Sequence, residues 1–154
     1  MIKAVQTAID FGADRINIPD TVGYSTPEEF GMIFKLLKDR VKGSDQIIWS
    51  AHTHNDLGMA NANALSAIEH GADEVQGTIN GIGERAGNSD LIETAAALKV
   101  RQDYFQAHSS INLKMSKKIS NIVANAAQMP VPKNKAVTGT NAFSHESGIH
   151  QDGF

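Results

Sequence analysis

The sequence predicts an α/β protein built on a parallel sheet, and three observations carry that prediction. Helix-like and strand-like segments alternate along the first hundred residues in units of about 30 residues, the size of a βαβ unit. The chain also nearly repeats itself: Ala8-Ile9-Asp10-Phe11-Gly12-Ala13-Asp14-Arg15-Ile16 returns 59 positions later as Ala67-Ile68-Glu69-His70-Gly71-Ala72-Asp73-Glu74-Val75. Each copy reads as a helix end, a glycine suited to a left-handed cap, and a strand start. Polar clusters then follow three predicted strands, and parallel α/β proteins bind ligands at the carboxyl ends of their strands.

The elements follow in order. An amphipathic segment opens the chain as a helix. Residues 15–19 form a first strand. Thr26-Pro27-Glu28-Glu29 is a capping box with proline at the first helical position, and the helix it opens carries Phe30, Ile33, Phe34, Leu37 and Val41 on one face. Residues 46–51 form the second strand. Asp56 is expected to cap a helix from Leu57 to about His70, closed by Gly71. Residues 74–79 form the third strand, and Asn88 or Ser89 is expected to cap a helix that runs to about Val100. After Arg101 the pattern changes. Residues 116–128 read as a helix with Ile119, Ile122, Val123 and Ala126 on one face, broken by Met129-Pro130-Val131-Pro132. Residues 133–154 are polar and Gly-rich.

Doubly wound sheets and (β/α)₈ barrels both fit this pattern. A barrel needs eight units and about 250 residues. Three units and an initial helix therefore lead to the expectation of a piece of a longer protein. Such a piece would leave two unpaired strand edges and an apolar inner face, so self-association is expected.

Composition narrows the function. The 154 residues carry a formal net charge of −3, with 41% hydrophobic and 20% charged residues. No basic stripe suggests nucleic acid as a partner, and no apolar run reaches the length of a membrane span. No signal peptide is expected. With no cysteine there are no disulfides or thiolate ligands, which is compatible with a cytoplasmic location.

The chemistry collects at the three strand ends. Asp20-Thr21 follows the first. His52 and His54 follow the second, and on a strand alternate residues share a face, so two imidazoles would converge as divalent-metal ligands do. Asn80-Gly81-Ile82-Gly83-Glu84-Arg85-Ala86-Gly87-Asn88 follows the third. Its G-x-G-x-x-x-G spacing is not the dinucleotide fingerprint. Glu84, Arg85 and Asn88 add carboxylate, guanidinium and amide groups. Trp49 reads as packing, His70 as a helix-end residue and His108 as solvated.

At this point the residues resemble a known family. His52-Thr53-His54-Asn55-Asp56-Leu57-Gly58-Met59-Ala60, the 80–88 segment, and Gly139-Thr140-Asn141-Ala142-Phe143-Ser144-His145-Glu146-Ser147-Gly148-Ile149-His150-Gln151-Asp152-Gly153 together resemble the 2-isopropylmalate synthase and homocitrate synthase family. The resemblance covers nearly the whole chain from Asp14. It implies the last part of a (β/α)₈ TIM barrel over residues 1–102 and a mostly helical, truncated linker subdomain over 103–154. It implies a cytoplasmic acyltransferase of leucine biosynthesis, which condenses acetyl-CoA with the 2-oxo acid 3-methyl-2-oxobutanoate and hydrolyses the thioester. By resemblance, His52, His54 and Asn88 hold a divalent metal, Mn²⁺, Zn²⁺ or Mg²⁺. Thr21, Glu84 and Asn88 contact the 2-oxo acid, Glu84 also acting in catalysis. His150 reaches the active site across a homodimer. The family's Arg-Asp-Gly motif, whose Asp is a further ligand, has no counterpart here, so this stretch alone is expected to be inactive. Homocitrate synthase, citramalate synthase, an acyl-CoA lyase and a non-catalytic metal-binding module are the alternatives.

Overall fold

A computed structural model describes residues 1–144. The elements are α1 (Ile2–Asp10), β1 (Arg15–Asp20), α2 (Pro27–Arg40), β2 (Ile48–Thr53), α3 (Ala60–Glu69), β3 (Glu74–Gln76), α4 (Leu91–Val100), α5 (Gln102–Phe105) and α6 (Ser116–Ala127), with single 3₁₀ turns at Ile79–Gly81 and Leu113–Met115. The three strands form a parallel sheet in the order β1-β2-β3. Ile16 pairs with Trp49, Ile18 with Ala51, and Ala51 with Val75. Among the described residues no helix is long and apolar enough to cross a membrane.

The period-2 alternation of strands decides where the core sits. Ile18, Trp49 and Ala51, with Val75 beside them, pack on Val5, Phe30, Phe34, Leu37, Val41 and Ala67 from the helices. The apolar stripe read from α2 is thus the one that is buried. Trp49 is fully buried, and its indole N–H donates to the Ser44 carbonyl at 2.9 Å. Gly12 and Gly71 close α1 and α3 with φ of +97° and +100°, the left-handed geometry expected of both repeats. His70 is the C-cap of α3 and His108 is exposed.

The capping box forms as read: Glu29 N–H donates to Thr26 Oγ1 at 3.4 Å, and Thr26 N–H to Glu29 Oε2 at 2.9 Å. Thr26→Ala is expected to cost about 1 kcal/mol, read as a lower urea midpoint. The Thr26 amide and hydroxyl hold the Glu29 carboxyl below its ordinary value of 4.5. Its contribution is therefore present at neutral pH and fades as pH falls through the range below 4.5.

Five readings need correction. The third strand ends at Gln76, not Ile79, because Thr78 N–H turns to the Ser89 carbonyl (2.9 Å) on the return limb of the loop. Asp56 does not cap α3: Arg85 engages its carboxylate, and Ala60 N–H instead takes Asn55 Oδ1 at 3.2 Å. Helix α4 is capped by Asp90, whose Oδ1 accepts from Ile92 N–H at 2.8 Å, and not by Asn88 or Ser89. Helix α6 buries Ser116, Ser120 and Ala124, while Ile122 is 53% exposed. Finally, the sheet face turned away from this core is polar. It carries Arg15, Ser50 and Glu74, joined by an Arg15–Glu74 ion pair at 2.8 Å and a Ser50–Glu74 hydrogen bond at 2.8 Å.

Candidate active site

The carboxyl ends of all three strands converge on one rim. β2 delivers His52 as its penultimate residue and His54 one residue beyond its end. Their rings lie 4.9 Å apart between centroids at an interplanar angle of 75°. His54 is buried, and its Nδ1 lies 3.0 Å from the Asp20 carbonyl. A carbonyl only accepts, so Nδ1 carries a proton, and in the neutral tautomer this leaves Nε2 as the nitrogen with the lone pair. Asp20 is fixed in turn: its carboxylate accepts from Tyr24 N–H at 3.2 Å and from Asn63 Nδ2 at 3.2 Å. Burial lowers the pKa of His52, the neighbouring His54 adds to this, and a Gln76 hydrogen bond opposes it. This favours the neutral ring, the form that can ligate.

Asn88 reaches the same place from the loop after β3. It bridges His54 in antiparallel fashion, Asn55 N–H donates to the Gly87 carbonyl at 2.8 Å, and Ser89 N–H to the Thr53 carbonyl at 3.1 Å. The loop is folded tightly enough that a Cβ on Gly83 would lie 2.6 Å from Asn88 Cγ. Two atoms here are buried without a hydrogen-bond partner: His52 Nδ1 and Asn88 Oδ1. Unpartnered buried polar atoms are costly. Two imidazoles and an amide oxygen form a nitrogen-and-oxygen donor set that fits Mn²⁺ or Zn²⁺ better than Mg²⁺. Among the described residues no cluster of three His, Asp or Glu forms. A cation held here therefore takes its remaining donors from elsewhere.

Arg85 ties the three strand-end loops together. It adopts φ +55°, and its guanidinium makes a two-pronged pair with Asp56 (Nε–Oδ1 2.7 Å, Nη2–Oδ2 2.9 Å) while Nη2 also donates to the Thr21 carbonyl at 2.9 Å. The hydrogen bond to Arg85 lowers the Asp56 pKa, and the same bond raises that of Arg85. Thr21 and Glu84 are exposed; Glu84 touches Arg85 Nη1 at 3.4 Å. His150 lies outside the described residues. Arg85→Gln is expected to speed amide hydrogen exchange several-fold at Gly23, Asn55 and Gly58, one or more in each loop that the guanidinium reaches. Unchanged exchange would show that the loops hold without it.

A cleft of about 560 Å³ opens beside Asn88, between the 80–88 loop and residues 129–136, with Asn55, Arg85, Met129 and Lys135 among its walls. Lys135 crosses to α4, where its ammonium pairs with Asp90 at 2.9 Å and Glu93 at 2.7 Å. Burial alone would lower its pKa, but hydrogen bonds to these two carboxylates outweigh it and the net shift is upward. Sequence reading did not find Lys135 or Ser120, gave Asn80 no role beyond its place in the loop, and missed the partner of Arg85. The only signal for the last was the opposite charge of Asp56 at a neighbouring strand end.

The chain matches the HMGL-like family over residues 1–123. It is 60% identical over 153 residues to 2-isopropylmalate synthase of Listeria welshimeri and 58% identical to that of Lactococcus lactis subsp. cremoris. Each match covers 99% of this chain, and the chain spans 30% of the length of these relatives. Among solved structures, an HMG-CoA lyase from Acinetobacter baumannii, in complex with coenzyme A and 3-methylmalate, superposes with a TM-score of 0.74 over 94% of this chain and 47% of its own, at 20% identity. These likenesses fit the parallel sheet and give it a TIM-barrel-type fold. The chain belongs to the HMGL-like family.

Proposed function

We propose that this chain is the C-terminal part of the catalytic barrel, followed by part of a linker subdomain, in a cytoplasmic, homodimeric acyltransferase of leucine biosynthesis. The enzyme condenses acetyl-CoA with 3-methyl-2-oxobutanoate to 2-isopropylmalate. One observation carries the reading. His52, His54 and Asn88 meet at the carboxyl ends of parallel strands, in a chain 60% identical over 153 residues to enzymes of that name.

The residues take these roles. His52 and His54 hold the divalent cation through neutral imidazoles, and Asn88 presents its amide oxygen to the same place. The bound ion supplies Lewis-acid polarisation of the 2-oxo acid carbonyl. Thr21 and Glu84, on adjoining loops, contact the 2-oxo acid, and Glu84 and His150 take part in proton transfer. Arg85 holds the Thr21 and Asp56 loops in register. Residues 1–154 alone are inactive in this account, because the donor set among the described residues lacks an anionic ligand.

The test is a substrate panel on the protein at its full natural length. CoA release from acetyl-CoA is measured with Mn²⁺ and 3-methyl-2-oxobutanoate, pyruvate or 2-oxoglutarate. Turnover strongest with 3-methyl-2-oxobutanoate supports the proposal. Preference for pyruvate or 2-oxoglutarate replaces it with a citramalate or homocitrate synthase. Cleavage of a 3-hydroxyacyl-CoA without condensation makes the protein a lyase. Metal binding without any of these leaves a non-catalytic module.

A further inference from the structure

We infer that helix α6 holds the metal-proximal loop in its working shape, with Asn80 and Ser120 as positioning residues for Asn88. The inference rests on the reading of Asn88 as a metal donor.

The starting point is the face that α6 buries. Area alone favours docking through Ile119, Ile122, Val123 and Ala126. The residues the helix buries are Ser116, Ser120 and Ala124; Ile119 and Val123 are half-buried and Ile122 is 53% exposed. A specific polar contact accompanies this choice. Asn80 Nδ2 donates to the Ser120 carbonyl at 2.9 Å, and Ser120 Oγ donates to Asn80 Oδ1 at 2.5 Å. Ser120 is fully buried and Asn80 half-buried, so both bonds are partly shielded from water. The pair closes on the backbone and on the side chain at once, which fixes Asn80 in both position and rotation.

Asn80 is also where the loop turns. It adopts φ +63° and ψ 9°, a left-handed geometry that asparagine tolerates better than most residues. The next carbonyl, that of Gly81, accepts from Asn88 N–H at 2.9 Å. From α6 to Asn88 the path is therefore one reciprocal side-chain pair, one peptide unit and one backbone hydrogen bond. Asn88 Oδ1 is the buried atom left without a partner at the end of that path. A second strap runs in parallel. Lys117 on α6 donates to the Thr138 carbonyl, and Lys135 pairs with Asp90 and Glu93, just beyond Asn88. Both ends of the loop are thus tied to the segment after α5.

Outer partners that orient a metal-binding group typically change affinity by about 10–100-fold when lost. The lower end is expected here, because the pair acts through one intervening residue. The experiment measures Mn²⁺ affinity by electron paramagnetic resonance on the protein at full natural length. Ser120→Ala removes the hydroxyl, and Asn80→Gly removes the side chain while keeping the left-handed backbone accessible. Each should weaken binding about tenfold, and the double variant should bind no more weakly than the worse single one. Ser116→Ala, at a buried serine on the same helix whose hydroxyl has no hydrogen-bond partner among the described residues, should bind like the unaltered protein with the same melting temperature. Unchanged affinity in Ser120→Ala and Asn80→Gly would overturn the inference, as would an equal loss in Ser116→Ala. If the unaltered protein binds no Mn²⁺, the metal reading fails. Amide exchange at Asn88 then decides the positioning role: faster exchange in Ser120→Ala upholds it, and unchanged exchange removes it.

Discussion

Replacing His52 or His54 by alanine is expected to weaken divalent-metal binding by more than about 100-fold, beyond the range for outer partners. The two rings are 4.9 Å apart and share a strand end, so neither can be replaced by a neighbour. The donor set has little reserve, since no third His, Asp or Glu joins the pair among the described residues. His54 is doubly committed: its Nδ1–H is held by the Asp20 carbonyl, which leaves the other nitrogen as the only donor. His70→Ala is the matched control. That ring bonds the Ser66 carbonyl at 2.8 Å on the far end of α3 and should not influence the metal. Calorimetric titration with Zn²⁺ reads all three variants. Retained affinity in His52→Ala and His54→Ala would remove both residues from the site.

Gly87→Ala should be the most damaging single-methyl change in the loop. Gly87 has φ +98°, and a Cβ there would run into the Gly81 carbonyl, whose carbon would lie 3.2 Å away. That is backbone against backbone, which no rotamer change relieves. The left-handed penalty alone is about 1–2 kcal/mol. With the overlap added, a loss of about 2–4 kcal/mol is expected, in the range tied to strain at special backbone positions. The Gly81 carbonyl is the acceptor for Asn88 N–H, so metal affinity should fall in the same variant while the far-UV helix signal survives. Gly12→Ala separates the two contributions. Gly12 has φ +97° but nothing within 4 Å of a Cβ, so it should show the conformational penalty alone. Equal effects at the two positions would mean that the close approach to Gly81 does not matter.

The legible parts of the sequence were those set by neighbours along the chain. The capping box at Thr26 and Glu29 spans three residues, and the α2 stripe from Phe30 to Val41 is a helical period, so both could be read without knowing what packs against them. His52 and His54 converge because strands alternate, again a local rule. The illegible parts depended on partners 24 to 59 positions away. Asp56 has the chemistry of an N-cap, but Arg85 is a stronger, charged partner and takes it 29 residues along, which leaves Asn55 to serve α3. Periodicity grouped Ile122 with Ile119, Val123 and Ala126, but the buried contact of α6 is made by Ser120 with Asn80, 40 residues earlier, and Ile122 stays exposed. The polar face of the sheet was misread because Arg15, Ser50 and Glu74 belong to three different strands, and only the parallel register brings them together. Lys135 lies in a stretch with no periodicity, so nothing local marked its pairing with Asp90 and Glu93.

The most direct measurement is the anomalous scattering of Mn²⁺ in crystals of the protein at full natural length. The account predicts one strong peak at the carboxyl end of the parallel strands, within ligating distance of an imidazole nitrogen of both His52 and His54, with Asn88 Oδ1 facing it. A peak bound elsewhere, or a water molecule satisfying His52 Nδ1 and Asn88 Oδ1 in metal-soaked crystals, would contradict it.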